Sequence, residues 1–166
     1  MAEKLEYKVS DIVVYPTHGV GKITGIEAQK YGEIEFKLYV VAFEKDKMIL
    51  RIPVNRAKIS GLRGISSTDQ LKKVTQTLKG KAKTSRGMWS RRAKEYEGKI
   101  NSGDIVSIAE VVRDLHKNID DPDRSYSERV IYESALDRLA GEVAAVKKID
   151  INAATEHLVK ELKKAA

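Results

Sequence analysis

A chain of 166 residues with 31 Lys and Arg against 24 Asp and Glu carries a formal net charge of +7 and contains no cysteine. The missing thiols exclude disulfides, cysteine nucleophiles and cysteine-based zinc sites, and no run approaches the roughly 20 apolar residues of a membrane span. No charged-then-apolar leader opens the sequence, so the expected setting is cytoplasmic, with no membrane partner.

The first 60 or so residues carry period-two patterns and turn chemistry. Ile12-Val-Val-Tyr15 is a β-branched run closed by Pro16. Val20, Ile23 and Ile26 belong to a second extended segment punctuated by Gly19, Gly21 and Gly25. Tyr31-Gly32 makes a turn before the longest strand signal, Ile34 to Phe43, in which Ile34, Phe36, Leu38, Val40 and Ala42 alternate with Glu35, Lys37, Tyr39, Val41 and Phe43. Glu44 to Lys47 reads as a hairpin loop into a strand from Met48 to Ile52, stopped by Pro53. Four or five short strands in this length suggest a small curled antiparallel barrel over residues 1–62, of the kind that binds rather than catalyses.

From Gly64 the pattern turns helical. Ser67 and Gln70 form a capping-box pair, Leu71, Val74 and Leu78 make one stripe, and Gly80 ends it. A basic connection from Lys81 to Gly87 leads to a helix from about Met88 to Asn101, with Ala93, Tyr96 and Ile100 on one face and Gly103 as its stop signal. Asp104 caps a third helix that turns Ile105, Ile108, Val111, Val112 and Leu115 inward. Ser125 and Glu128 are a second capping-box pair, opening a long helix that carries Val130, Ile131, Leu136, Leu139 and Val143. A last amphipathic segment, about Asn152 to Lys164, buries Leu158, Val159 and Leu162. The expected class is α+β, a β domain over residues 1–62 followed by a compact five-helix domain over residues 63–166.

Catalytic and metal-dependent readings find little to stand on. His18, His116 and His157 are far apart and none has a second ligand one helical turn away. Gly19-Val-Gly21 lies between strand-like runs and leads into no helix, which makes it turn glycine rather than a phosphate cradle. Asp120, Asp121 and Asp123 lack the alternating ligands and terminal Glu of a calcium loop. No nucleophile, base and acid can be grouped, so no enzyme, cofactor or small-molecule substrate is expected.

The charge is unevenly distributed. Residues 1–63 hold 11 basic and 8 acidic side chains, residues 64–101 hold 10 and 3, and residues 102–166 hold 10 and 13. Within residues 72–94 there are nine Lys or Arg, no Asp or Glu, and Trp89, the chain's only tryptophan. A dense positive field is what a polyanion selects, because each neutralised phosphate releases condensed counterions. A flat aromatic among cations can stack on an exposed base or wedge between base steps. Trp89, Ala93, Tyr96 and Ile100 also form one apolar stripe, so a core tryptophan on a solvated basic helix is the competing reading. Pattern alone therefore leaves a basic two-domain binding protein. It acts on DNA or RNA by itself, or as a protein-binding adaptor with Trp89 in its core.

Several motifs, in order and at matching spacing over nearly the whole chain, narrow this further. They are Asp11-Ile-Val-Val-Tyr-Pro-Thr-His-Gly-Val20, Leu50-Arg-Ile-Pro53, Trp89-Ser-Arg-Arg92, Ser102-Gly-Asp104 and Ala109-Glu-Val-Val-Arg-Asp-Leu115. Together they resemble the CarD/CdnL family of bacterial transcription regulators. The resemblance implies a Tudor/SH3-like N-terminal domain that binds the β subunit of RNA polymerase, similar to the polymerase-binding domain of the transcription-repair coupling factor. It also implies a helical C-terminal domain that contacts promoter DNA, without reading sequence, at the upstream edge of the transcription bubble. The family's minor-groove wedge, which stabilises the open complex, matches Trp89, and its backbone contacts match Arg91, Arg92 and Lys94. Arg86, in the basic connection, is counted with them. On the polymerase side the family's arginine matches Arg51, and a second basic contact falls near Gln29, with Lys30 adjacent. The implied location is the cytoplasm, at the nucleoid.

Overall fold

The computed structural model describes residues 5–83 and 87–165. The chain divides into two compact units, Met1–Ile65 and Ser66–Ala166. Among the described residues no helix is long and apolar enough to cross a membrane.

The first unit is one antiparallel sheet. Its strands are β1 (Ile12–Tyr15), β2 (Gly19–Tyr31), β3 (Ile34–Phe43), β4 (Met48–Pro53) and β5 (Arg63–Gly64), in the spatial order β4-β3-β2-β1-β5. The second extended segment of the sequence is a single strand of 13 residues whose register shifts between Ile23 and Gly25. Such a bulge bends the strand and lets one half pack over the core while the other runs out as a hairpin arm. Gly21 shows why a side chain is excluded there, since a Cβ would lie 2.7 Å from the Phe43 ring and 2.8 Å from Val41.

Val13, Ile23, Tyr39, Val41, Phe43, Ile52, Ala57 and Leu62 form the core of this unit. On β3 the inward set is therefore Tyr39, Val41 and Phe43. The buried Tyr39 hydroxyl accepts hydrogen bonds from the backbone N–H of Glu6 at 3.0 Å and of Tyr7 at 3.4 Å. That satisfies its oxygen and fastens the N-terminal segment to the sheet.

The second unit holds α1 (Thr68–Lys79), α2 (Trp89–Asn101), α3 (Ile105–His116), α4 (Tyr126–Lys147) and α5 (Ile151–Ala165). Local chemistry sets the helix starts. Ser67 and Gln70 make a reciprocal capping box, and Asp104 accepts from the Val106 N–H. Leu71, Val74 and Leu78 of α1, Tyr96 and Ile100 of α2, and Ile105, Ile108, Val111, Val112 and Leu115 of α3 meet Ile131, Leu139 and Val143 of α4 in one core. Ahead of α1, the Ser66 N–H and hydroxyl both donate to the buried Glu142 carboxylate, which pins the start of the unit to α4.

Three expectations need correcting. Ser125 accepts from the Glu128 N–H, but the Glu128 side chain turns inward, where its carboxylate accepts from Asn118 Nδ2 at 3.3 Å, and the second pair is only half a capping box. On α4, Val130 is 44% exposed, while Tyr132 and Ala135 are buried in the core. On α5, Ala154 joins Leu158 and Leu162 in the core and Val159 is only half-buried.

Candidate polymerase and nucleic-acid surfaces

Trp89 is the first residue of α2. Met88, at the N-cap, makes no side-chain cap and the first turn holds no acidic residue, so neither offsets the positive end of the helix dipole. The indole is half-buried and packs at the margin of the helical core, its centroid 6.2 Å from the Tyr96 ring at a tilt of 45°. Tyr96, two turns further on, is buried and forms the floor beneath it. Trp89 is thus anchored on one side and open on the other, between a core residue and a free wedge.

The cations around it behave differently from one another. The Arg91 side chain is 79% exposed, with Glu95 3.9 Å away as a loose partner one turn on. Lys94 is exposed. Arg92, half-buried, points back over the rings, its guanidinium carbon 5.4 Å from the Trp89 centroid and 5.9 Å from that of Tyr96. Lys72, Lys73, Lys81 and Lys83 are exposed, whereas Lys79 reaches Glu161 at 3.6 Å. Arg86 lies outside the described residues.

The connection ahead of Trp89 has an anchor that sequence reasoning missed. Buried Asp114 on α3 accepts from the Lys83 backbone N–H at 2.9 Å and from Arg113 Nε at 2.8 Å. An aspartate in the middle of an apolar helical stripe was the available signal, since such a group is buried only with partners.

In the first unit, Arg51 lies on β4, an edge strand, and pairs with Glu27 of β2, Nε to Oε2 at 3.0 Å. Register places Arg51 opposite Val40 and Gln29 opposite Phe36 on β3, so both project from the face away from the core. Lys30 pairs with Glu35 and takes the opposite face. Further along the Arg51 face, Tyr31 stacks on Phe36 at 5.6 Å with the rings 4° from parallel. Tyr31 and Ile34 are 71% and 70% exposed, so this arm presents apolar surface beside charge. The grouping of Glu27, Gln29 and Tyr31 with Arg51 depends on the register.

The three histidines stay apart. His18 stacks on Tyr15 at 5.7 Å, His116 meets the Tyr132 hydroxyl, and His157 is exposed. Among the described residues no three His, Asp or Glu side chains converge to hold a metal ion.

Comparison with known proteins matches residues 7–66 to the CarD-like/TRCF RID domain and residues 73–159 to the CarD C-terminal domain. The chain belongs to the CarD family. It is 29% identical over 143 residues to a Bacillus subtilis (strain 168) protein described as "Putative transcription factor YdeB", with 86% of this chain and 94% of that protein covered. The 72-residue N-terminal domain of Myxococcus xanthus CarD, solved by NMR, is similar with 24% identity and a TM-score of 0.32 over 40% of this chain and 88% of that one. CarD proteins are non-enzymatic transcription factors, and the first unit is their RNA polymerase-interacting domain.

Proposed function

We propose that this CarD protein docks on the β subunit of RNA polymerase through the Arg51 face of its sheet and stabilises the promoter open complex through Trp89. Docking places the helical unit at the promoter at high effective concentration, so weak contacts that do not read sequence suffice. Arg91 and Lys94, exposed two and five residues after the indole, draw the phosphate backbone to it. The indole then packs on bases that are unstacked in the open complex and stacked in the closed one. That difference is what shifts the equilibrium.

The observation that carries the reading is the half-burial of Trp89 at the first turn of α2, with Tyr96 beneath it and cations beside it. A ring packed on one side has little freedom left to lose when a base covers the other. Base–aromatic stacking contributes about 1–3 kcal/mol, enough to change the open-to-closed ratio by about one to two orders of magnitude. The partial packing of Trp89 against the core is also what an adaptor with a structural tryptophan would have.

Open-complex lifetime on a promoter that forms unstable open complexes separates the two. Trp89→Ala shortens the lifetime severalfold or more while co-purification with polymerase persists. An unchanged lifetime rejects the wedge and favours the adaptor.

A further inference from the structure

Of the two arginines that follow Ser90, Arg91 is exposed and Arg92 is half-buried. Arg92 stands three residues after Trp89 and four before Tyr96, so the three side chains share one face of α2. Its guanidinium carbon is 5.4 Å from one ring centroid and 5.9 Å from the other, Nη2 donates to the Tyr96 hydroxyl at 3.4 Å, and Nε is buried without a hydrogen-bond partner among the described residues. A phosphate ligand needs its planar fork of donors turned outward. Here two of the three nitrogens are taken up against the protein, Nη2 on a tyrosine hydroxyl and Nε out of reach of solvent. Arginine suits such a place because it is weakly hydrated and stacks on aromatic faces, whose negative quadrupole takes the role of the missing acceptor.

We infer that Arg92 is a positioning residue, which fixes the tilt of the Trp89 indole against Tyr96 so that its open side is presented to DNA, and is not itself a phosphate ligand. The inference rests on the proposed role of Trp89 for its consequence on DNA, but the geometry it asserts belongs to the free protein. Because Trp89 is the only tryptophan, emission excited at the red edge of indole absorption, where the seven tyrosines do not absorb, reports this ring alone.

The test compares full-length Arg92→Lys, Arg92→Gln, Tyr96→Phe and Trp89→Ala proteins with the unaltered chain. Its readouts are acrylamide quenching of the free protein, the salt dependence of binding to fully paired duplex, and the preference for forked over paired DNA. Lysine keeps the charge but not the planar stack, so Arg92→Lys raises the quenching constant about twofold and lowers the fork preference. In Arg92→Gln the slope of log affinity against log salt stays at its original value, because no phosphate contact has been removed. If Arg92 is instead a phosphate ligand, Arg92→Lys behaves like the unaltered protein and Arg92→Gln lowers the slope by about 0.9, either of which overturns the inference.

Should the Arg92 variants lose helical content, Tyr96→Phe carries the test, since it removes only the hydroxyl that receives the guanidinium. Quenching must then rise in the same direction, and unchanged quenching counts against the inference. Trp89→Ala keeps the two failures apart. A fork preference unaltered by Trp89→Ala overturns the wedge, while the quenching result still decides the role of Arg92.

Discussion

Arg51 reaches Glu27 across a whole intervening strand. Arg51 is opposite Val40 and Glu27 opposite Leu38, so the pair lies diagonally over β3, Nε to Oε2 at 3.0 Å, on the face that the core does not use. Half-exposed on both sides, it adds little to stability. Its effect is to engage the guanidinium within the sheet face, so an acidic partner has to take the place of Glu27. Arg51→Glu therefore puts two carboxylates side by side facing that partner. Its affinity for an isolated polymerase β-lobe fragment should fall by about tenfold or more, with the melting temperature nearly unchanged. Glu27→Gln should strengthen the association, most clearly at low salt. Surface-immobilised β fragment titrated at two ionic strengths measures both, and an Arg51→Glu protein that binds normally counts against the assignment.

Arg91 and Lys94 are expected to act as charges and nothing more. Both are exposed, Arg91 with Glu95 as a loose partner 3.9 Å away, so each can displace one condensed cation from duplex DNA. Replacing either by Gln should reduce the salt slope of duplex binding by about 0.9 and weaken all sequences alike. Titrations on two unrelated duplexes at several salt concentrations check this. Loss confined to one sequence would mean base contact instead.

These expectations show what can be read from sequence and what cannot. Helix starts were legible because their signals are local. Ser67 sits three residues from Gln70, and Asp104 is next to the helix it caps. The position of Trp89 at a helix start was legible for the same reason. Helix α4 was harder, because α3 and α5 pack on it from different sides and no single stripe marks its buried residues. Tyr132 and Ala135 are buried there while the more apolar Val130 is exposed. At the site, sequence gives the charge of Arg92 but not its direction, and the Arg51–Glu27 pair depends on register across three strands.

The Asp114 contact with the basic connection makes a prediction of its own. Asp114→Ala leaves the Lys83 N–H and the Arg113 guanidinium without that carboxylate, in a place where the Asp114 and Arg113 side chains are only 8% and 11% exposed. Breaking a buried ion pair from one side costs about 3 kcal/mol, so the urea midpoint should drop well below that of the parent. Amide exchange at Lys83 should accelerate beyond what the global loss explains, because that bond is removed directly. Equal acceleration across α1, α3 and the connection would mean that Asp114 supports the fold and does not hold the connection.

The pairing of His116 with Tyr132 predicts how stability varies with pH. His116 Nδ1 is 2.7 Å from the Tyr132 hydroxyl. Burial lowers the His116 pKa below its ordinary 6.5, against the opposing charge of Asp120 and with the help of Lys163. Burial also pushes Tyr132 from 10.0 up to about 12, against Arg124. Both groups are held neutral in the folded chain. Below pH 6.5 the unfolded chain binds a proton at this histidine that the folded chain still refuses. The stabilisation is therefore whole above that pH and falls away as pH drops toward the folded value. On the alkaline side the unfolded tyrosine ionises first, so its contribution is whole below pH 10.0 and is lost as pH rises through about 12. Urea midpoints measured from pH 5 to 8 should decline toward the acid end, and His116→Gln should flatten that decline without abolishing it, since carboxylates titrate there too. A decline equally steep in His116→Gln would show that His116 is protonated as readily in the folded chain as in the unfolded one.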